Sequence, residues 1–194
     1  MRTFPKSRID ALTDGIFAFA MTLLVLDIRL PADLHIHDSA ELIARLWALS
    51  PACVAYVVSF FVLAAHWRGN IELRRVEEVS QGVLGWTFVY LLFITSVPFS
   101  SSVVGRYGDL PPAVWLYAAN LIVVAGLSLH LRVSEILPEH RQRARIGHAK
   151  ILFFIASAVA SILISLVAPG YAMFAYLLNI VTGPLAERLY GRTA

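Results

Sequence analysis

The segment RIDALTDGIFAFAMTLLVLDIRLP, Arg8 to Pro31, decides how this chain is read. Gly15 to Leu26 is twelve residues without a charge, with Asp14 below it and Asp27 above it. As a helix, the 13 residues from Asp14 to Asp27 rise about 20 Å at 1.5 Å per residue. That is an apolar rod of membrane dimensions, fenced by acids.

The rest of the chain supports a membrane setting. Of its 194 residues 58% are hydrophobic and 15% charged, against about 45–50% and about 25% in soluble domains. Mean hydropathy is +0.71. The single cysteine, Cys53, excludes an intrachain disulfide and argues against a metal–thiolate site. Six stretches have the roughly 20 apolar residues a bilayer requires: 9–30, 42–66, 80–104, 111–132, 147–168 and 170–188. The expected fold is all-α and integral to the membrane, with residues 1–194 forming one six-helix domain. Polar connections separate the spans, except that APGY between the last two is tight enough for a helical hairpin. Arg2, Lys6 and Arg8 precede the first apolar run as in a signal peptide, but Asp10 and Asp14 interrupt that run and no small-residue cleavage site follows.

Lysine and arginine orient the spans. With both termini inside, the inner segments hold 13 of the 16 cations, leaving Arg29, Arg45 and Arg106 outside. Cationic loops resist translocation, so both termini are expected to be cytoplasmic. The net charge of +3 reads as attraction to the inner leaflet. RQRAR, at 141–145 in a short inter-helix loop, is a poor nucleic-acid site, and no nucleic-acid partner is expected.

The central thirds of the spans lack Asp, Glu, Lys, Arg and His; Thr22, Thr95, Ser96, Asn120, Ser157, Ser161 and Asn179 are the polar exceptions. Proton-coupled transport normally uses a buried titratable group, and hydrolysis a nucleophile with its base or a metal. Neither pattern is present, so no catalytic residue and no enzyme are expected. His66 and His130 read as interfacial or packing residues. The loop DLHIHD, with Asp33, His35, His37 and Asp38, reads as solvated polar loop because it lacks the further ligands of a fixed metal site. No metal and no cofactor are expected.

On a helix, residues three and four apart share a face. Ile16, Phe19, Leu23, Leu26 and Leu30 make such a stripe on the first span, with Thr22 beside it. Ordinary helix packing produces the same pattern. In the fifth span, Ser157, Ser161 and Ser165 recur every four residues, a spacing that lets helices approach closely, within one subunit or between subunits. The residues alone leave a channel, a small secondary transporter and a non-transporting scaffold open. A transporter would show inverted repeats and broken helices; Pro98 in the third span is a candidate break.

Arg8-x-x-x-Leu12-Thr13-Asp14-Gly15 resembles the R-x-x-x-F-S-D-G signature of the endosomal/lysosomal potassium channel family, which has small bacterial members. IFAFAMTLLVLDI, SFFVLAAHW and LLFITSVPFSS are similar to further segments of that family. Leu12 and Thr13 depart from the signature's phenylalanine and serine, and Phe19 stands where relatives usually carry isoleucine or leucine. The resemblance implies a homotetramer whose first helices line a central pore conducting K⁺ and other monovalent cations. It implies hydrophobic rings of Phe19, Leu23 and Leu26 as the constriction and Thr22 as a polar layer; the sequence holds no T-V-G-Y-G filter. Arg8, Thr13, Asp14 and Gly15 would form the signature's network, with Arg8 pairing Asp14. Asp27 and Asp33, repeated around the axis, would make the outer vestibule negative and concentrate cations there.

Overall fold

The computed structural model describes residues 3–31, 36–72, 78–135, 141–177 and 179. Its elements are β1 (Thr3–Pro5), α1 (Lys6–Leu23) continued by a 3-10 turn (Leu24–Asp27), α2 (Ser39–Ala48) and α3 (Ser50–Glu72). They continue with β2 (Glu78–Ser80), α4 (Gln81–Tyr107), α5 (Pro111–Glu135), α6 (Arg141–Ser165) and a 3-10 segment (Pro169–Leu177). Among the described residues, five segments are long and apolar enough to cross a bilayer: Lys6–Asp27, Ser50–Ile71, Gln81–Tyr107, Pro111–Ser134 and Gly147–Ser165. The chain is a multi-pass, helical membrane protein. Of the sixth expected span, 170–188, residues up to Leu177 form the 3-10 segment; 178 and 180–188 lie outside the described residues.

The second expected span, 42–66, is corrected. It is broken at Leu49, between α2 and α3. Pro51 has no N–H to return to the helix, and the amide of Leu49 instead closes a tight turn on the Leu46 carbonyl at 3.1 Å. α2 starts earlier than expected because Asp38 caps it, accepting from the Glu41 amide at 2.7 Å. Glu41 in turn accepts from the His37 amide at 3.3 Å and pairs with Arg45 one turn on at 3.5 Å. None of its residues is buried, and Ile43, Leu46 and Trp47 are exposed. α2 is therefore a short amphipathic helix beside the bundle rather than part of a span.

A second departure is the antiparallel ribbon β1–β2, with Thr3 opposite Ser80, Phe4 opposite Val79 and Pro5 opposite Glu78. Three-residue strands leave no readable alternation in a sequence. The ribbon ties the start of α1 to the start of α4.

α5 is the central helix. Val114, Tyr117, Ala118, Leu121, Val124 and Ala125 are all fully buried, and α5 packs between α4 and α6. α1 lies at the side of the bundle, on α3 and α4. Lipid is as apolar as leucine, so packing and hydrogen bonds hold such helices together. The buried hydroxyls show how. Ser59 of α3 meets Ser101 of α4 at 2.9 Å and Tyr117 of α5 at 2.8 Å. Asn120 of α5 accepts from Ser96 and donates to Ser100, each at 3.0 Å. These links bracket Pro98, and α4 runs through the proline as one helix. The candidate break at Pro98 is absent.

The serine stripe of α6 also works within one chain. Ser157 accepts from Asn179 at 2.7 Å and Ser165 from the Trp115 indole at 3.0 Å, and all three stripe serines are buried. His66 and His130 pack as expected, edge-on against Phe154 and Trp86 with ring centroids 5.5 and 5.0 Å apart.

Candidate ion pathway along the first helix

α1 has two unlike faces. Thr13, Phe17, Ala20 and Leu24 are buried against the bundle. Phe17 is 0% exposed and leans on the Tyr90 ring of α4, centroids 6.2 Å apart. The opposite face carries Arg8, Ala11, Leu12, Gly15, Ala18, Phe19, Thr22, Val25 and Leu26, all exposed in the single chain. Phe19 is 65% exposed and Leu26 64%. The repeats 8–12–15–19–22–26 and 11–15–18–22–25 are the three- and four-residue steps of one helix face. Leu23 and Ile16 lie at its edge, partly buried.

The structure therefore brings Phe19, Thr22 and Leu26 together on one unpartnered face and sets Leu23 at its flank. Thr22 has its hydroxyl satisfied by its own helix, donating to the Phe19 carbonyl at 2.8 Å. Its methyl and oxygen still face outward, where a purely lipid-facing helix would carry a larger apolar group. Gly15 and the alanines at 11 and 18 leave this face thin; nothing lies within 4 Å of where a Cβ on Gly15 would stand. A second helix can come close there.

The expected signature network is rearranged. No ion pair joins Arg8 to Asp14 among the described residues. Six residues apart on one helix, they point about 120° away from each other, and Arg8 is on the exposed face. Asp14 instead accepts from the Trp67 indole of α3 at 2.9 Å. Thr13 faces inward and donates to the Ile9 carbonyl at 2.8 Å, while Gly15 faces out. The four residues thus serve three directions: out of the bundle, towards α3, and into the core. Trp67 is the partner that sequence reasoning missed, although it stands in the segment SFFVLAAHW. Replacing Trp67 by phenylalanine should keep the ring packing and remove the bond to a charged acceptor. The expected cost is about 1–2 kcal/mol, at the low end for such bonds because both groups are partly exposed, read as a lower thermal midpoint of the purified protein.

At the other end, Asp27 is not a free vestibule acid. Arg106, at the end of α4, reaches it at 3.5 Å. Sequence reasoning had placed both groups on the same side and had not paired them. The pair offsets much of the field expected of Asp27. Asp33 and His35 lie outside the described residues. Among the described residues no group of three or more His, Cys, Asp or Glu is arranged to hold a metal.

The sequence profile of the endosomal/lysosomal potassium channel TMEM175 family matches residues 8–98, the stretch that begins at Arg8 and contains α1, α2, α3 and most of α4. That match makes the chain similar to the TMEM175 family over 91 of its 194 residues. A potassium channel of Chamaesiphon minutus is 30% identical over 122 residues, 61% of this chain and 60% of that protein. A potassium channel of Streptomyces collinus is 32% identical over 124 residues, 62% and 58% of the two chains. The human endosomal/lysosomal proton channel TMEM175 is 37% identical over 112 residues, 55% of this chain and 22% of that one. The chain thus spans about 60% of the length of the bacterial relatives it matches. In three dimensions it is similar to the crystal structure of a lysosomal potassium-selective channel TMEM175 homolog from Chamaesiphon minutus, with a TM-score of 0.79 at 23% identity, over 93% of this chain and 97% of that one. The fold described above is therefore the TMEM175 fold. The relatives carry the names of channels, and none is named as an enzyme.

Proposed function

We propose that this chain is a TMEM175-type cation channel that prefers potassium, assembled as a homotetramer in a bacterial plasma membrane with both termini cytoplasmic. The carrying observation is the bare face of α1: in one chain Phe19, Thr22 and Leu26 are exposed, although the family match begins on this helix. Four copies of that face around an axis would enclose a narrow apolar neck with a threonine layer. Rings of Phe19, Leu23 and Leu26 would exclude water and gate by dewetting. A neck that requires partial dehydration favours K⁺ over Na⁺ because K⁺ sheds its water more readily. Monovalent cations, the lipid bilayer and further copies of the chain are the partners of this reading, and no cofactor is needed.

The orientation is supported by charge. Lys6 and Arg8 of α1, Arg68 of α3, Arg132 of α5 and Lys150 of α6 sit at the end of the bundle marked by the β ribbon. That is the end cationic side chains keep in the cytoplasm.

Purified protein in liposomes with a K⁺ gradient should carry an electrical current that is larger for K⁺ than for Na⁺. Membranes silent to both ions across pH and voltage would refute the channel. Relatives named as proton channels make the same recording with a pH gradient a necessary second arm; a current carried by protons alone would replace potassium as the permeant ion.

The Asp27–Arg106 pair yields a further expectation. Arg106→Gln should release the field of Asp27 at the outer mouth. Single-channel K⁺ conductance should rise at low salt and return to the parent value at high salt, since the field is screened over about 10 Å at 0.1 M. Equal conductance at low salt would place Asp27 away from the ion path.

A further inference from the structure

A cavity of about 490 Å³ opens between α3, α5 and α6, away from the bare face of α1. Its lining changes character with depth. Arg68, Arg132, Lys150 and His66 meet at one end, while Val57, Val58, Phe61, Val62, Ile151 and Phe154 form the other. The cations lie at membrane boundaries. Arg68 precedes the end of its span at Ile71, Arg132 precedes the end at Ser134, and Lys150 follows the start at Gly147, each by less than one helical turn. Phe61 and Val57 lie about 10 and 16 Å deeper than Arg68 along α3. Both are exposed, so the apolar wall continues onto the outside of the bundle.

Arg132 is held in place by shape. It is 8% exposed, buried between α3 and α6. A Cβ at Gly69 would collide with its guanidinium, and one at Gly147 would come within 2.8 Å of Nη1. Glycine on each neighbouring helix makes room for a planar, permanently charged fork at the depth where a bilayer changes from headgroup to chain. Such a fork matches the oxygens of a phosphate in pairs.

We infer that this cavity binds one anionic glycerophospholipid, its phosphate between Arg68, Arg132 and Lys150 and its upper acyl chain along Val57, Phe61 and Phe154. Charge complementarity selects this occupant: three cations converge on a slot whose remaining wall is hydrocarbon and which opens sideways to the membrane. A soluble anion would use the cations and leave the apolar wall bare. A neutral lipid would use the wall but bring no net negative charge to the three cations.

The test is lipid retention, read without any current. Delipidated full-length protein is given equimolar phosphatidylglycerol and phosphatidylcholine of identical chains, and bound lipid is counted by native mass spectrometry. Phosphatidylglycerol should be retained in preference. Arg68→Gln and Lys150→Gln should each lower that preference about fivefold, and the double variant about 25-fold, as expected for interfacial cations. Arg132→Gln is avoided as the sole test because the side chain is packed between helices. Ala65→Trp fills the cavity and leaves every cation in place; it should abolish retention, with the helical circular dichroism unchanged. Excess inorganic phosphate should leave the lipid bound. Equal retention of the two lipids, unaltered preference in the double variant, or full retention in Ala65→Trp would overturn the inference. Displacement by phosphate would overturn the lipid as the occupant and leave a soluble-anion site.

Discussion

Phe19→Ala should raise single-channel conductance and reduce the preference for K⁺ over Na⁺, while leaving thermal stability nearly unchanged. Phe19 is 65% exposed in the single chain and is not a member of the buried core cluster. Its removal therefore opens no cavity within a subunit. Along the proposed axis, however, four phenyl rings would fill the neck that relatives usually close with leucine or isoleucine. Truncation widens and wets that neck. Phe19→Asn should act in the same direction by offering amides where water was excluded. Reversal potentials under bi-ionic K⁺/Na⁺ conditions give the readout. An unchanged reversal potential in stable Phe19→Ala and Leu26→Ala assemblies would remove this face from the ion path. It would then be a lipid-facing or subunit-packing surface, and the conduction route would have to be sought elsewhere.

Phe17→Ala, only two residues away, should do the opposite. Phe17 is fully buried, packed on Tyr90 and part of the main apolar cluster of α1, α3, α4 and α5. A bilayer does not supply the usual hydrophobic driving force, but the cavity left by a lost ring still forfeits its dispersion contacts. A cost of about 3–5 kcal/mol is expected for a buried Phe→Ala change. Thermal unfolding in detergent should show a marked fall in midpoint. Any surviving current should keep the parent K⁺/Na⁺ ratio. A stable Phe17→Ala protein with altered selectivity would reverse the assignment of the two faces of α1. The pair of variants is informative because the residues are alike in chemistry and differ in the direction they point.

The class of molecule was legible in composition and in the lengths of the apolar runs, because a bilayer imposes a length on every span. The first, third, fourth and fifth expected spans overlap the membrane-length segments Lys6–Asp27, Gln81–Tyr107, Pro111–Ser134 and Gly147–Ser165. The stripe of Phe19, Leu23 and Leu26 with Thr22 beside it was legible from helical periodicity, but not that Thr22 shares the exposed face while Leu23 is partly buried at its flank. What failed were inferences about partners. Arg8 and Asp14 were joined because both belong to the signature that the chain resembles; on the helix they diverge, and Asp14 finds Trp67, 53 residues away. Asp27 was read as a free acid because Arg106 is distant along the chain, yet both sit at the same end of the bundle, 3.5 Å apart. The break at Leu49 was missed because Trp47, Ala48 and Leu49 continue the apolar run; Pro51 was the available signal.

By itself, then, the sequence determined a multi-pass helical protein, the skew of cations towards one end, and a resemblance to one channel family over the stretch that starts at Arg8. These are properties of single segments, set by span length, loop charge and residue order. Only the tertiary structure decided which face of α1 is spent on the bundle and which is left bare. It also made α5 the centre of the core, committed the α6 serines to contacts within one chain, and drew Arg68, Arg132 and Lys150 around one cavity. The reason is physical: in an apolar solvent every span looks alike to hydropathy, so side-chain packing and the pairing of polar groups between helices distinguish the faces, and those act between residues far apart in the chain.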